Sequence, residues 1–575
     1  MTAQLGLHIV CLLTCMTSGT AKTNASPLET SLDFHLLLAG GALAICSSYS
    51  PKHCVSEPPK GKSQNYYKLS KHTLNSIKDS TQSPTLAEVV EALDNFTNTN
   101  MLTKNELDAL FETAQVREKI RALSDHDYYL IYDALEIKSS HRQSQIRLRE
   151  TAAPQDSKST STQAIINTFI EQAKRFAEQE KAKPQILVVT ASSRDSYAAV
   201  DYYRSVFAVD GVPATWLPID QALQAASRSQ QCDTLADFQA RYQVFNRAQV
   251  YPDLYAEQQA GCRTPQKLVD LIHGAHGIFF NGGDQSLTRA ALFTTDGKPN
   301  DVLRAIQERH AQGKLIVGGT SAGTAVQAGQ SSTGSIIPMI TNGVSHQAIK
   351  RGVFAQDAPS QRCVENCYKS TSFNHADDVT YHSNGGTGLF ALGNTDTHFS
   401  ERNREGRFIA LNALTGSKVG IGVDENTAML ISWDVPNKPT RAFTKVIGKH
   451  GVFIYDDTLL QVKQTVLGYQ LGGRAHYLPS GSSGEYDLVA QNWTFFNETP
   501  AKFEYEIANY PHHTGMWRHL SQTLCKLEKK QPQNWQLYGI KYVIIPLPET
   551  QFWVNKHGLC GYTNLGYSIA PIAMD

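Results

Sequence analysis

The sequence predicts an α/β protein: a mostly parallel sheet flanked by helices with a nucleophile elbow, plus a helical insertion and a small mixed or β-rich C-terminal extension. Three observations predict it. Short apolar β-runs alternate with helical stretches along most of the chain. One run, Leu315-Ile316-Val317, breaks into Gly318-Gly319-Thr320-Ser321-Ala322-Gly323. That G-x-S-x-G pattern marks a sharp strand-to-helix turn with an exposed serine Oγ. Between about Pro59 and Pro184 the β-runs give way to helical periodicity.

The elements follow in order. Leu5 to Met16 is a short apolar run followed by small residues, so residues 1–25 read as a signal peptide, without the usual positive n-region. Phe34 to Ile45 is a buried strand running into Gly40-Gly41. Leu86-Val89-Val90-Leu93 and Leu107-Leu110-Phe111 have i, i+3, i+4 spacing, and Ile165-Ile166-Phe169-Ile170 with Ala173 continues it. Residues 59–184 are therefore a helical insertion, containing a mobile Ser-, Gln- and Arg-rich loop from Ser139 to Thr162. The cluster Arg142, Arg147, Arg149 reads as a solvated face. Strands are expected at Gln185–Thr190, Ala214–Ile219, Ala275–Phe280, Lys314–Val317 and Gly420–Val423, with a helix over Tyr197–Phe207. These place the catalytic α/β domain at 34–58 and 185–475. Residues 476–575 form the extension, with β-like runs at Ala501–Tyr505 and Tyr542–Pro546.

Lys and Arg number 53, Asp and Glu 53, so the formal charge is zero and no field of one sign argues for nucleic acid. No apolar segment is long enough to span a membrane. Of the 10 cysteines, Cys11 and Cys15 would leave with the signal. The rest fall into neighbours: Cys46 and Cys54, Cys232 and Cys262, Cys363 and Cys367, Cys525 and Cys560. Local even pairing suits disulfides and a secreted or periplasmic protein. No metal site is expected, since the cysteines lack zinc-type spacing and histidine partners.

A serine needs a base, and the usual base is a histidine oriented by a carboxylate. His398, in Asn394-Thr395-Asp396-Thr397-His398-Phe399, is the leading candidate. Arg402, Arg404 and Arg407 follow it; they either hold substrate carboxylates or pair with Glu401 and Glu405 on a solvated helix face. Gly420-Ile421-Gly422-Val423 ends in Asp424-Glu425, and neighbours on an extended segment face opposite ways. One of the two acids is thus expected to orient His398. Phe279-Phe280 runs into Asn281-Gly282-Gly283-Asp284-Gln285, where the Gly283 N–H and the Ala322 N–H are suited to an oxyanion hole. There is no phosphate-loop pattern.

In this order, Asn281–Gln285, the Gly-Thr-Ser-Ala-Gly elbow, Asp396-Thr397-His398-Phe399 with its arginines, and Gly422–Ala428 resemble cyanophycinase, a serine peptidase related to dipeptidase E. The resemblance covers roughly residues 34–55 and 185–475. The Ser, His, Glu order differs from the Ser, acid, His order of α/β-hydrolases. The resemblance implies Ser321 as nucleophile, His398 as general base and Glu425 as orienting acid. It implies that Gln285, Asp396, Arg402, Arg404 and Arg407 line the substrate site. Thr397 stands where the family pattern has Gln, which reshapes one subsite. The implied substrate and partner is cyanophycin, a poly-aspartate backbone with arginine on each β-carboxyl, released as β-Asp-Arg dipeptides without metal or cofactor. Rival readings are a serine peptidase of short aspartyl or isoaspartyl peptides, and a non-catalytic polymer-binding homologue. A homodimer is an open option.

Overall fold

Leu36-Leu37-Leu38-Ala39 is apolar at every position, so a strand of these residues has to be covered on both faces. In the computed structural model it is central to a nine-stranded sheet. The structure describes residues 32–97, 101–140, 146–209, 211–329, 337–360, 362, 375–496, 514–555 and 557–573. The expected signal peptide, Arg142, Cys363, Cys367 and the β-run at 501–505 lie outside the described residues.

On one side of Leu36–Ala39 come Ile316–Thr320, Gly277–Phe280, Ile186–Val189 and Ala214–Trp216, all parallel. On the other side come Thr427–Trp433, Arg441–Gly448, Ser483–Asp487 and Asn492–Phe496, all antiparallel. The parallel half is the one whose strands are joined through helices. Past residue 427, short turns join Thr427–Trp433 to Arg441–Gly448 and Ser483–Asp487 to Asn492–Phe496 as antiparallel neighbours, and the chain between these two pairs forms strands of a second sheet.

Alternate side chains divide between two cores. Leu36, Leu38, Leu187, Val189, Ile278, Phe280 and Val317 face one, with Val302, Leu303 and Ile306 of the helix Asp301–Ala311. Leu37, Ala39, Ile186, Val188, Phe279 and Ile316 face the other. That second face is covered by the helix Thr160–Gln179, through Ile165, Ile166, Phe169, Ile170, Ala173 and Phe176. This helix therefore packs with the main sheet, although the sequence reading grouped it with the insertion.

The remaining helices of that region, Lys71–Ser80, Pro84–Asp94, Lys104–Phe111, Arg117–Ala122 and Asp125–Leu135, surround a core of their own. Ser70, Ser83, Thr103 and Ser124 cap four of them, and Thr103 with Glu106 forms a capping box. Two expectations about the following segment are corrected. Residues 146–158 pair back on residues 46–54, with Ser48 N–H on the Thr151 carbonyl at 2.8 Å and Ala153 N–H on the Cys46 carbonyl at 2.8 Å. Arg147 is no solvated side chain: it is buried and binds Asp201 and Asp253, because two carboxylates converge there. Arg149 is exposed and also reaches Asp253.

An eight-stranded second sheet begins with Asn394–Thr397, parallel to Val419–Val423. It continues antiparallel through Gly451–Asp456, Gly468–Pro479, Cys560–Pro571, Ile540–Val554 and Gln533–Leu537, with Gln461–Thr465 pairing on Gly468–Pro479 as the eighth strand. Val419–Val423 was expected in the first sheet; its hydrogen-bonding partners put it in the second. The C-terminal strands complete a sheet begun before residue 475, so this region is continuous with the preceding chain. Helices Ser345–Arg351, Glu405–Thr415 and Met516–Lys526 share the core of this sheet.

Three disulfides join Cys46 to Cys54, Cys232 to Cys262 and Cys525 to Cys560. Among the described residues no helix is long and apolar enough to cross a membrane.

Candidate active site

Ser321 follows the strand Ile316–Thr320 with φ 54° and ψ −118°, a strained conformation at a strand-to-helix turn. The turn is tight enough to require glycine on both sides. A Cβ on Gly319 would lie 2.1 Å from the Gly323 carbonyl oxygen, and one on Gly323 would lie 2.2 Å from that of Phe280. His398 follows the parallel strand Asn394–Thr397 and also has positive φ, 47°. Glu425 follows the neighbouring strand Val419–Val423. The serine thus comes from the first sheet, and the histidine and glutamate from adjacent strand ends of the second.

His398 Nε2 lies 2.9 Å from Ser321 Oγ, and His398 Nδ1 lies 2.6 Å from Glu425 Oε1. The carboxylate next to Nδ1 places the ring proton there and leaves Nε2 to accept from the serine hydroxyl. Burial holds the His398 imidazole below its ordinary value; Arg402 and Arg404 push the same way, against the upward pull of Glu425. A neutral imidazole is the form a general base needs. Asp424 faces away from the histidine. It accepts from Ser400 N–H at 2.9 Å, Tyr477 O–H at 2.7 Å and Arg518 at 2.7 Å.

The Gly40-Gly41 turn holds this arrangement, a role the sequence reading missed. The Ala39 carbonyl accepts from Ser321 N–H at 3.1 Å, Gly40 from His398 N–H at 2.8 Å and Gly41 from Asn426 N–H at 3.0 Å. Gly41 has φ +104°, and a Cβ on it would sit 2.4 Å from the His398 ring. A buried strand ending in two glycines was the available signal.

Beside Ser321 opens a cleft of about 420 Å³. Gly283, Gln285, Ala322, Asp396, Thr397, Arg402, Arg404 and Arg407 all line it. The Gly283 and Ala322 N–H groups have no acceptor among the described residues. Gln285 donates its side-chain N–H to the Ile340 carbonyl at 2.5 Å. The three arginines differ in what they are free to do. Arg407 grips Asp396 through two bonds of 2.8 and 2.7 Å and also donates to the Gly343 carbonyl. Arg404 donates to Asp396 at 3.0 Å and to the Thr397 carbonyl at 2.7 Å. Burial opposes the Asp396 charge, but Arg407 and Arg404 outweigh it and hold that carboxyl below the usual range. Neither arginine pairs with Glu401 or Glu405 as the solvated-face alternative required. Arg402 is exposed, and no hydrogen bond of its guanidinium is found among the described residues. Thr341, Asn342, Ser345 and exposed Asp377 complete the wall. They come from a connection whose approach to Ser321 left no local pattern in the sequence.

No family profile matches the chain. Cyanophycinases from Trichormus variabilis and Nostoc sp. are each 29% identical over 199 residues, 35% of this chain and 51% of theirs. One from Synechococcus elongatus is 29% identical over 191 residues, 33% of this chain and 45% of its own. The chain is a distant relative of cyanophycinases. It spans about half the length of the curated relatives it matches. A crystal structure of a peptidase from an acI-B1 Actinobacterium aligns over 55% of this chain and 90% of its own, with 16% identity and a TM-score of 0.29. That value leaves the fold to be described from the strands themselves.

The arrangement offers a serine hydroxyl in hydrogen-bonding reach of a histidine, a carboxylate on the far side of that ring, two N–H groups without an acceptor among the described residues, and charges of both signs on the cleft wall. Such a set suits acyl transfer to water at a substrate carrying both a carboxylate and a cation.

Proposed function

We propose that this chain is a serine-type peptidase that hydrolyses cyanophycin, the aspartate–arginine polymer, to β-Asp-Arg dipeptides. The observation that carries the reading is the continuous hydrogen-bonded line from Ser321 through His398 to Glu425 at the edge of a charged cleft. The distant cyanophycinase relatives support it.

In the proposed cycle the Ser321 Oγ attacks the carbonyl of the aspartyl backbone amide while His398 Nε2 takes its proton. Negative charge develops on the carbonyl oxygen, where the Gly283 and Ala322 N–H groups receive it. Glu425 stabilises the imidazolium that forms, without taking its proton. His398 then protonates the departing amine, leaving an acyl group on Ser321. Water attacks the acyl carbon as His398 removes its proton, the bond from that carbon to Ser321 Oγ breaks, Oγ takes the proton back from His398, and the product leaves as the free acid.

Each cyanophycin repeat presents an arginine guanidinium and a free carboxylate. Arg402 and Asp377 are charges on the cleft wall for which no side-chain partner is found among the described residues. They are suited to the carboxylate and the guanidinium respectively. Asp396, Arg404 and Arg407 act in this reading as the frame of the cleft, since their charges are satisfied by one another. The three disulfides favour an oxidising location, so we place the enzyme outside the cytoplasm.

The deciding experiment is mass spectrometry of products released from purified cyanophycin by the wild-type chain and by Ser321→Ala. Dipeptide from the first and none from the second is the expected result. Equal release by both removes the serine mechanism, and release of longer fragments removes the exopeptidase assignment.

A further inference from the structure

The C-terminal helix Met516–Lys526 reaches the back of the catalytic residues. Its first N–H, at Met516, donates to Asn403 Oδ1 at 3.0 Å, in the turn that follows His398. Two residues further on, Arg518 Nη1 donates to Glu401 Oε1 at 2.5 Å and to Asp424 Oδ2 at 2.7 Å. Both acids are themselves tied to the catalytic segments. Glu401 Oε2 accepts the backbone N–H of Glu425 at 3.1 Å. Asp424 Oδ1 accepts the backbone N–H of Ser400, two residues after His398, at 2.9 Å. Asp424 is fully buried and Arg518 is 8% exposed, so the contact between these two is shielded from water, while Glu401 is half-buried.

This geometry joins the two turns that carry the base and the acid. The Ser400–Arg402 turn follows His398, and Asp424-Glu425 follows the neighbouring strand. Glu401, on the first turn, holds the second; Asp424, on the second, holds the first. A single guanidinium lies across both carboxylates. Without it, two carboxylates would face one another in a buried space, and one would have to move or take a proton.

We propose that Arg518 is a positioning residue of the active site, clamping Glu401 and Asp424 so that Glu425 stays in register with His398, and that the C-terminal region thereby belongs to the catalytic machinery. The proposal rests on Ser321, His398 and Glu425 acting as the peptidase reading assigns them. Arg518 contacts neither substrate nor any reacting atom. It acts through the position of the acid, so its loss falls on the chemical step and leaves binding in the cleft largely intact.

The test uses the full chain with its disulfides formed and compares wild type, Arg518→Met, Arg518→Lys and the double variant Arg518→Met with Asp424→Asn. It reads kcat and KM on soluble cyanophycin, the rate at which a fluorophosphonate labels Ser321, and the urea unfolding midpoint. Arg518→Met should lower kcat by about tenfold to a hundredfold with KM within about twofold, and slow labelling in parallel. Arg518→Lys should recover part of both rates. The double variant, in which the orphaned buried carboxylate is neutral, should regain unfolding midpoint but not kcat. A folded Arg518→Met with wild-type kcat and labelling overturns the proposal while the peptidase reading stands. Full return of kcat with the midpoint in the double variant also overturns it, because the loss was then one of stability. Should Arg518→Met not fold, Arg518→Lys and the double variant decide by the same two criteria. A wild-type chain that neither releases dipeptide nor labels at Ser321 overturns the peptidase reading and the proposal with it.

Discussion

The Gly40 carbonyl accepts the backbone N–H of His398 at 2.8 Å, although the two residues belong to different sheets. With its neighbours Ala39 and Gly41 it fixes the backbone at Ser321, His398 and Asn426. The relative position of Ser321 and His398 is thereby a backbone property.

Gly41→Ala is the sharpest test of that arrangement. Its Cβ would enter the His398 ring and its φ of +104° is unfavourable to alanine. We expect kcat to fall by about a hundredfold, more than the modest loss of thermal stability accounts for. Wild-type turnover in a well-folded Gly41→Ala would show that the ring position has slack.

His398→Ala should cost about a hundredfold or more in kcat, measured on cyanophycin. For the acids, Glu425→Gln should impair turnover with little change in unfolding midpoint. Asp424→Ala should chiefly lower the midpoint, and turnover only through the loosened clamp, because it leaves Arg518 and the Ser400 N–H short of a buried partner. Reversal of these two phenotypes would reassign the orienting acid.

Arg402→Gln and Asp377→Asn should each raise KM severalfold with small effects on kcat. Arg407→Gln should behave differently, destabilising the fold by about 1–3 kcal/mol, since it leaves the buried Asp396 carboxylate with Arg404 as its one charged partner. Chemical denaturation beside steady-state kinetics separates the two groups.

Stability should fall on acidification. Burial holds His35 down to about 4 and His310 down to about 3. In the unfolded chain a histidine titrates near ~6.5. Below that value the unfolded state binds protons that the folded state refuses, so stability rises with pH in this window. The contribution is complete above about 6.5 and is lost as pH falls towards the folded values. Urea midpoints at pH 7 and pH 5 should differ accordingly; identical midpoints would contradict the buried neutral pair.

The Cys232–Cys262 bridge closes a loop of sequence separation 30 between helices of the α/β body. Replacing both cysteines by serine should cost about 3–4 kcal/mol on a chain-entropy estimate. Guanidinium unfolding of the variant beside the wild type measures it.

Much of this protein was legible in its sequence where the signal is local. Leu36–Ala39 and Gly277–Phe280 are apolar throughout and are strands buried on both faces. Leu86, Val89, Val90 and Leu93 repeat at helical spacing and form one buried helix face. The alternation rule separated Asp424 from Glu425 in principle, but only the contacts of both side chains say which faces the base. What stayed hidden depends on distant partners. Val419–Val423 looks like any fully buried strand, and its sheet is set by Gly451–Asp456 and the strands beyond. The charges of Arg404 and Arg407 are plain in the sequence, whereas their cancellation by Asp396 needs the turn that folds them back. Arg147 was misread for the same reason: its partners Asp201 and Asp253 come from later helices.

The central strand Leu36–Ala39 is made early, but its antiparallel neighbour Thr427–Trp433 is made late. A chain still emerging from the ribosome can present Ser321 and the carbonyls of Ala39, Gly40 and Gly41, yet not the His398 that they seat. In the peptidase reading proposed above, hydrolytic competence is therefore withheld until the late strands have joined the early one, and a truncated copy is harmless to its surroundings.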